Sequence, residues 1–252
     1  MPIIQSLDRA LNILDLFDEY TTELKITEIS NRMDLHKSTV HSLLKTLQLH
    51  GYIEQDEETG KYRLGMRLLE KGQLLLQRLD IRSLARKHLA AFTDHTGQTT
   101  HLVILDGKEG VYIDKVEGEK AAIRYSRIGR RVPLHSSAVG KALVAFRKQE
   151  EIELLLKDYS YVVQTSLTIR DKETFLTELS RIQSQGYAVD DQENEPGVRC
   201  AAAPIYDHNG QVAAAMSVST LLSAVDDSQF LQLIELLLQE TKTISKLMGY
   251  RP

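Results

Sequence analysis

Cysteine is nearly absent: Cys200 is the only one in 252 residues. No intrachain disulfide can form, which fits a reducing compartment. No apolar run is long enough to span a bilayer, and Met1-Pro2-Ile3-Ile4-Gln5-Ser6 lacks a signal-peptide pattern, so a cytoplasmic protein with no membrane partner is expected. The eight histidines show no HExxH spacing and there is no cysteine cluster for zinc. A GxSxG nucleophile elbow is also missing. Gly140-Lys141 is not part of a P-loop, because His135 stands where the first glycine belongs and Ala142 where the magnesium-binding hydroxyl belongs. The acidic run Asp190 to Glu195 has Gly197 out of place for a calcium loop. Cys200 with His101 or His135 would need spatial proximity that spacing alone does not supply. No cofactor, metal or catalytic residue is expected. The chain also lacks internal repeats and low-complexity segments.

Excess positive charge is missing too. The net charge is −4, and Met1 to Glu70 holds eight Lys and Arg against twelve Asp and Glu. Nucleic-acid binding would therefore rest on local geometry, with cations at Arg9, Lys37, Lys45, Lys61 and Arg63, and on two copies rather than bulk attraction.

What is present is a 42% hydrophobic composition, ordinary for a chain that buries a core, and a run from Ile26 to Leu64 with the order of a winged helix-turn-helix. Ile26 to Met33 predicts a short helix, Asp34-Leu35-His36 a tight break, and Lys37 to about His50 a second helix stopped by Gly51. Tyr52 to Gln55 and Lys61 to Leu64 predict two strands around a Glu57-Glu58-Thr59-Gly60 turn. On the second helix, Val40, Leu43, Leu44 and Leu47 share one face. Ser38, Ser42 and Lys45 lie opposite, flanked by Thr39 and His41. No acidic residue occurs from His36 to Gly51, so that polar face suits a phosphate-lined major groove. An amphipathic helix with a solvated face is the alternative, and the accompanying turn and wing favour double-stranded DNA.

Flanking segments complete an α+β organisation. Ser6 is the expected cap of a first helix reaching about Tyr20, with Leu7, Ala10, Leu11, Leu14 and Phe17 at helical spacing. Met66 to Leu79 reads as a leucine-rich linker helix that packs on a partner subunit, through residues such as Leu75 and Leu76. Asp80 caps a helix from Ile81 to His95. Strands are expected at Thr99–Asp106, Gly110–Val116, Ala121–Ile128, Val198–Tyr206 and Gln211–Ser219. Helices are expected at Ser136–Phe146, Glu150–Lys157, Asp171–Gln185 and Asp226–Met248. The domains are read as 1–65, a DNA-binding unit; 66–80, a linker and dimerisation helix; and 81–252, an effector-binding unit.

These residues carry a resemblance along nearly the whole chain. Ser6-Leu7-Asp8-Arg9-Ala10-Leu11, Leu35 to His41 and Gly60 to Gly65 resemble the opening helix, recognition helix and wing of the IclR-type transcriptional regulators. Val132 to Ala142, Gly186 to Asp190, Glu193, Gly197-Val198, Cys200 to Ile205 and Ser217-Val218-Ser219 resemble the family's effector core. The resemblance implies an N-terminal winged helix, a linker helix, a C-terminal GAF-like antiparallel-sheet domain, assembly as a homodimer or homotetramer, and response to a small metabolite. Family recognition helices often carry Arg where this chain has Ser42. By resemblance, ligand contacts fall to Asp190, Cys200, Ser217 and Ser219, with backbone at Ala138 and Val139. Tyr125, Val132 and Val198, and Ala122 with them, supply apolar wall.

Ser136 and Ser137 lead into a helix whose first amides favour an anion, and Ser136 can equally be a plain N-cap. Ser217 and Ser219 alternate onto one strand face. Cys200 in an alanine-rich strand also fits an inert core residue, and Arg124 fits either a ligand carboxylate or a surface acid. The leading expectation is a ligand-responsive DNA-binding regulator, a repressor of a metabolic operon sensing a small anionic metabolite. An enzyme or a protein-binding sensor built on the effector domain is the alternative.

Overall fold

The computed structural model describes residues 3–18, 20–76, 80–119 and 126–251, with backbone alone at 72, 73, 75 and 76. The chain divides into two compact units, Met1–Leu79 and Asp80–Pro252. Among the described residues, no helix is long and apolar enough to cross a membrane.

The first unit begins with α1, Gln5–Leu14. It is shorter than its periodicity predicts, and Ile4 rather than Ser6 occupies the cap. The chain turns because the Asp18 carboxylate accepts the amides of Tyr20 and Thr21, at 2.9 and 2.7 Å. Ile13, not Leu7 or Leu11, is the fully buried residue of α1. Leu7 and Leu11 remain about half exposed, at 55% and 53%. α2, Ile26–Met33, ends at Asp34 in the left-handed conformation. α3, Lys37–Leu49, follows and stops at Gly51, whose φ of 72° a side chain would resist. β1, Ile53–Gln55, and β2, Tyr62–Leu64, form the wing hairpin. Leu24 adds a third rung by exchanging backbone hydrogen bonds with Tyr62 at 2.8 and 3.0 Å. The core joins Ile13, Phe17, Leu24, Ile29, Val40, Leu44, Ile53 and Tyr62, so α3 is held by the stripe its sequence marks. α4, Met66–Leu76, closes the unit, and the last three residues of the expected linker helix lie outside the described residues.

The second unit opens with α5, Ile81–Thr96, capped by the Asp80 side chain on the Arg82 amide and ended by Gly97. β3, Thr99–Asp106, and β4, Glu109–Val116, form a hairpin. Of the expected strand at 121–128, residues 121–125 lie outside the described residues, and Ser126 to Ile128 are not in a strand. Instead β5, Arg131–Pro133, pairs with β4. α6, Ala138–Ala145, α7, Gln149–Leu156, and α8, Lys172–Gln185, follow. Then come β6, Ala188–Asp191, β7, Val198–Tyr206, β8, Val212–Leu221, and α9, Asp227–Leu247.

The six strands make one antiparallel sheet in the order β5-β4-β3-β8-β7-β6. Strand alternation sends Leu102, Ala201, Ala203, Met216 and Val218 to one face, under α5 and α9. Val103, Ala202 and Ala215 face the other way, under α6, α7 and α8. The run of alanines in β7 leaves room for helices to approach both faces closely.

Candidate functional site

The first unit presents the predicted DNA face. Lys37, Ser38, His41, Ser42 and Lys45 are exposed on the side of α3 opposite the buried Val40 and Leu44, with Thr39 half-buried at the flank. The Ser42 hydroxyl donates to the Ser38 carbonyl at 3.1 Å, which tucks it against its own helix. Lys61 pairs with Glu23 at 3.3 Å and Arg63 with Glu54 at 3.4 Å. Such exposed pairs contribute little and open readily to a phosphate. The wing tip is acidic: Glu57 and Glu58 are exposed, and the Asp56 carboxyl is held below its usual range by hydrogen bonds from Thr59. The wing's cations therefore sit on β2, at Arg63, and just before it, at Lys61, rather than among these tip carboxylates. Arg9 is half-buried in α1.

The second unit holds a cavity of about 570 Å³ on the α6 face of the sheet. Cross-strand register builds its floor. Ser217 stands opposite His101 on β3, Ser219 opposite Cys200 on β7, and Cys200 opposite Asp190 on β6. The start of α6 forms a wall. Ser137, rather than Ser136, is the helix cap: its hydroxyl accepts the Gly140 amide at 3.0 Å and donates to the Pro133 carbonyl at 2.6 Å. A Cβ at Gly140 would collide with the Pro133 carbonyl and Leu134 Cα, so only glycine lets α6 begin this close to β5. The amides of Ala138 and Val139, in the first helical turn, have no intrahelical acceptor, and both residues line the cavity.

Of the sequence-predicted residues, Ser137, Ala138, Val139, Val132, Asp190, Val198, Cys200, Ser217 and Ser219 line this cavity. Ser136 does not. It is buried, and its hydroxyl donates to Asn194 at 3.4 Å. Tyr125, Ala122 and Arg124 lie outside the described residues. His101, Tyr112, Arg130, Arg131 and Glu195 also line the cavity, though no local pattern marks them.

The electrostatics are shaped by burial. His101 is held neutral, its pKa lowered to about 3 by desolvation and then by the Lys115 charge. Its Nε2 lies 2.7 Å from the Ser126 hydroxyl and its Nδ1 3.4 Å from that of Ser217. Asp190 is pushed up to about 7, by burial first and then by the neighbouring Glu193 carboxylate. The amides of Glu193 and Asn194 donate to its Oδ1 at 2.8 and 3.2 Å, which leaves Oδ2 as its other polar atom. Burial also pushes the Cys200 thiol up, and its Sγ donates to the Ser219 hydroxyl at 3.0 Å. A protonated thiol is a poor nucleophile. His135 is committed elsewhere, to the Tyr159 hydroxyl and the Val162 carbonyl. Among the described residues no thiol–imidazole hydrogen bond is present. Lys141, set aside as a P-loop lysine, is fully buried and pairs with Glu193 at 2.5 Å and Glu178 at 3.5 Å.

A DNA-reading module and a polar cup with helix amides at its rim form the architecture of a regulator that senses a small molecule. Comparison with known proteins agrees. Residues 6–57 match the IclR helix-turn-helix domain, and residues 73–246 match the bacterial transcriptional regulator IclR C-terminal domain. The chain is 54% identical over 250 residues to the HTH-type transcriptional regulator XynR of Escherichia coli, covering 99% of each chain. It is 36% identical over 247 residues to the HTH-type transcriptional regulator KdgR of Escherichia coli, covering 98% of this chain and 94% of KdgR. The crystal structure of the repressor BlcR of Agrobacterium tumefaciens superposes with a TM-score of 0.83 at 29% identity, covering 99% of each. The chain belongs to the IclR family of ligand-responsive, DNA-binding transcriptional regulators, and it is a regulator rather than an enzyme.

Proposed function

We propose that this regulator is a homodimeric repressor that leaves its operator when a small hydroxylated carboxylate enters the effector cavity. The observation that carries the ligand class is the start of α6. The first-turn amides of Ala138 and Val139, without acceptors inside their helix, supply the positive end of a helix dipole to a cavity that Arg130 and Arg131 also line. Opposite them the floor is made of hydroxyls, Ser217 and Ser219, and of Asp190. A carboxylate held at the amides and hydroxyls held at the floor fit this distribution better than a plain fatty acid. With its pKa near neutrality, Asp190 both accepts and donates a hydrogen bond to such a hydroxyl. Val132 and Val198 cover the apolar side of the ligand. That BlcR is described as a repressor supports the sign of regulation.

On the DNA side, residues 1–65 bind the operator and 81–252 bind effector, joined by 66–80. Lys37, Ser38, Thr39, His41, Ser42 and Lys45 face the groove, and Arg9, Lys61 and Arg63 face phosphates. Two copies reading a near-palindrome place half-site centres one or a few turns apart, roughly 34 Å per turn. Met66, Leu69 and Leu74 of α4 are exposed at 63%, 62% and 56%, apolar surface of the kind that marks a contact. Pairing of two dimers into a tetramer is the alternative assembly, and the cytoplasm is the compartment this role requires. Leu69→Glu with Leu74→Glu is expected to lower the sedimenting mass and weaken operator binding; an unaltered oligomer removes α4 as the interface. For the ligand, calorimetry compares sugar acids, short keto acids and aromatic acids. Ser217→Val with Ser219→Val is expected to abolish the effector response and leave operator affinity near wild type. Release of DNA at the wild-type effector concentration would overturn the assignment.

A further inference from the structure

A second cavity, of about 330 Å³, lies at the other end of β7 from the effector cup. Cys200 lines the first cavity and Tyr206 the second. The two residues are six steps of strand apart, ~20 Å. The second cavity is apolar and aromatic. Tyr206 and Tyr250 stack with ring centroids 4.8 Å apart at 27°, and Phe146 meets Tyr206 edge-on at 6.2 Å. Its two buried hydroxyls are already committed: Ser245 accepts the Tyr206 amide at 3.0 Å and donates to the Thr241 carbonyl at 2.7 Å, and Thr241 donates to the Leu238 carbonyl at 3.3 Å. Nothing inside therefore asks for a polar guest.

The rim has a different character. Lys242 and Lys246, one turn apart on α9, are exposed and line the cavity, and among the described residues no carboxylate pairs with either. A helix C-terminus ordinarily repels an anion. Here three of the last four carbonyls of α9 are occupied: Ile244 by the Met248 amide, Ser245 by Tyr250 and Lys246 by Gly249. The two ammonium groups thus dominate the rim, above a slot shaped for flat rings.

We propose that this cavity is a second small-molecule site for an aromatic carboxylate, its rings against Tyr206, Tyr250 and Phe146 and its carboxylate between Lys242 and Lys246. Ring stacking favours a fused bicyclic acid over a single short chain, and the lysines select the acid over its neutral amide. The site differs from the effector cup in both respects, since the cup has a polar floor and takes its anion at helix amides. It does not depend on the effector assignment.

The test uses the full chain and 2-naphthoate as probe. The chain has no tryptophan, so naphthoate fluorescence can be followed without indole background. Saturable binding of one naphthoate per chain is expected, unchanged in the Ser217→Val, Ser219→Val variant and weaker by at least about tenfold with 2-naphthamide. Lys242→Ala with Lys246→Ala, and separately Tyr250→Ala, are expected to weaken it by a similar factor with the circular dichroism melt unchanged. No saturation below about 1 mM, equal binding of acid and amide, or loss of binding in the Ser217, Ser219 variant would overturn the proposal. A change of sedimenting mass on Tyr250→Ala without ligand would overturn it as well, by assigning this face to a second copy of the chain.

Discussion

Lys141→Met would remove a fully buried positive charge on α6 and leave Glu193 as the orphan. Glu178 keeps a partner, because Arg181 holds it with two hydrogen bonds of 2.8 Å. Glu193 keeps none of comparable strength: its Oε1 loses the 2.5 Å bond to Lys141, and its Oε2 is buried without a hydrogen-bond partner among the described residues. Breaking a buried pair from one side typically costs about 3–5 kcal/mol. The chain can limit that cost by protonating Glu193. Neutralising a carboxyl of ordinary pKa 4.5 at pH 7 costs about 3 kcal/mol, at about 1.4 kcal/mol per pH unit, and this sets a ceiling. At pH 5.5 the same ceiling falls to about 1.4 kcal/mol. Urea unfolding of wild type and Lys141→Met, followed at both pH values, should therefore show a deficit of about 3 kcal/mol that shrinks by about 2 kcal/mol on acidification. Adding Glu193→Gln should recover most of the loss at pH 7, since a neutral amide needs no cation. A deficit below about 1 kcal/mol, or one that does not change with pH, would refute the reading of Lys141 as the cation that lets Glu193 be buried as a carboxylate.

Asp190, raised from 3.8 to about 7, binds its proton more tightly folded than unfolded, so its contribution to stability falls as pH rises from about 4 to about 7. Asp190→Asn should flatten that fall, and it should also remove any strengthening of anionic-effector binding between pH 8 and 6; a binding profile identical to wild type would exclude Asp190 from the ligand's surroundings. His101, lowered from 6.5 to about 3, does the reverse: folded it stays neutral, and stability is lost as pH falls from about 6.5 towards 3. His101→Gln should reduce that acid sensitivity in a urea titration series. Lys45→Ala should weaken operator binding and lower the salt slope by about 0.9 if it touches one phosphate; an unchanged slope removes it from the phosphate contacts.

The DNA-reading unit was legible in sequence because each of its parts carries a local signal. Gly51 and Gly60 sit at positive φ where the helix stops and the hairpin turns, and the Val40–Leu44 stripe falls on the core. What escaped was non-local. Leu24 joins the wing through two hydrogen bonds to Tyr62, 38 residues later, and a single residue has no period to read. The early end of α1 depends on the Asp18 side chain taking two amides, a turn that an apolar stripe continuing to Phe17 hides. β5 and β6, of three and four residues, exist only through their partners β4 and β7. The same holds for the helix cap beside the cavity, where Ser136 and Ser137 are equivalent in sequence and only the approach of β5 assigns the cap to Ser137.

The cavity itself follows from a change of residue type that occurs at one level across four strands. On the face under α6, β3 runs from the core residue Val103 to His101, and β8 from Ala215 to Ser217. β7 runs from Ala202 to Cys200 and β6 from Ala188 to Asp190. In any one strand this is an unremarked apolar-to-polar step, and a histidine or serine there reads as a core residue satisfied by its neighbours. Register turns the four steps into a boundary, because His101 pairs with Ser217, and Cys200 lies between Ser219 and Asp190. Apolar packing under α6 ends along that line. Beyond it lie buried hydroxyls and a carboxyl whose desolvation costs free energy unless something hydrogen-bonds to them. Their bonds to one another are partial: Ser217 to His101 is long at 3.4 Å, and Asp190 uses backbone amides on only one oxygen. A floor with spare polar capacity, facing helix amides without acceptors inside their own helix, suits the proposed guest, with hydroxyls at one end and negative charge at the other. On the proposed assignment, ligand response follows from where the apolar core stops, and the residues that set that limit are those whose substitution should change which metabolite is sensed.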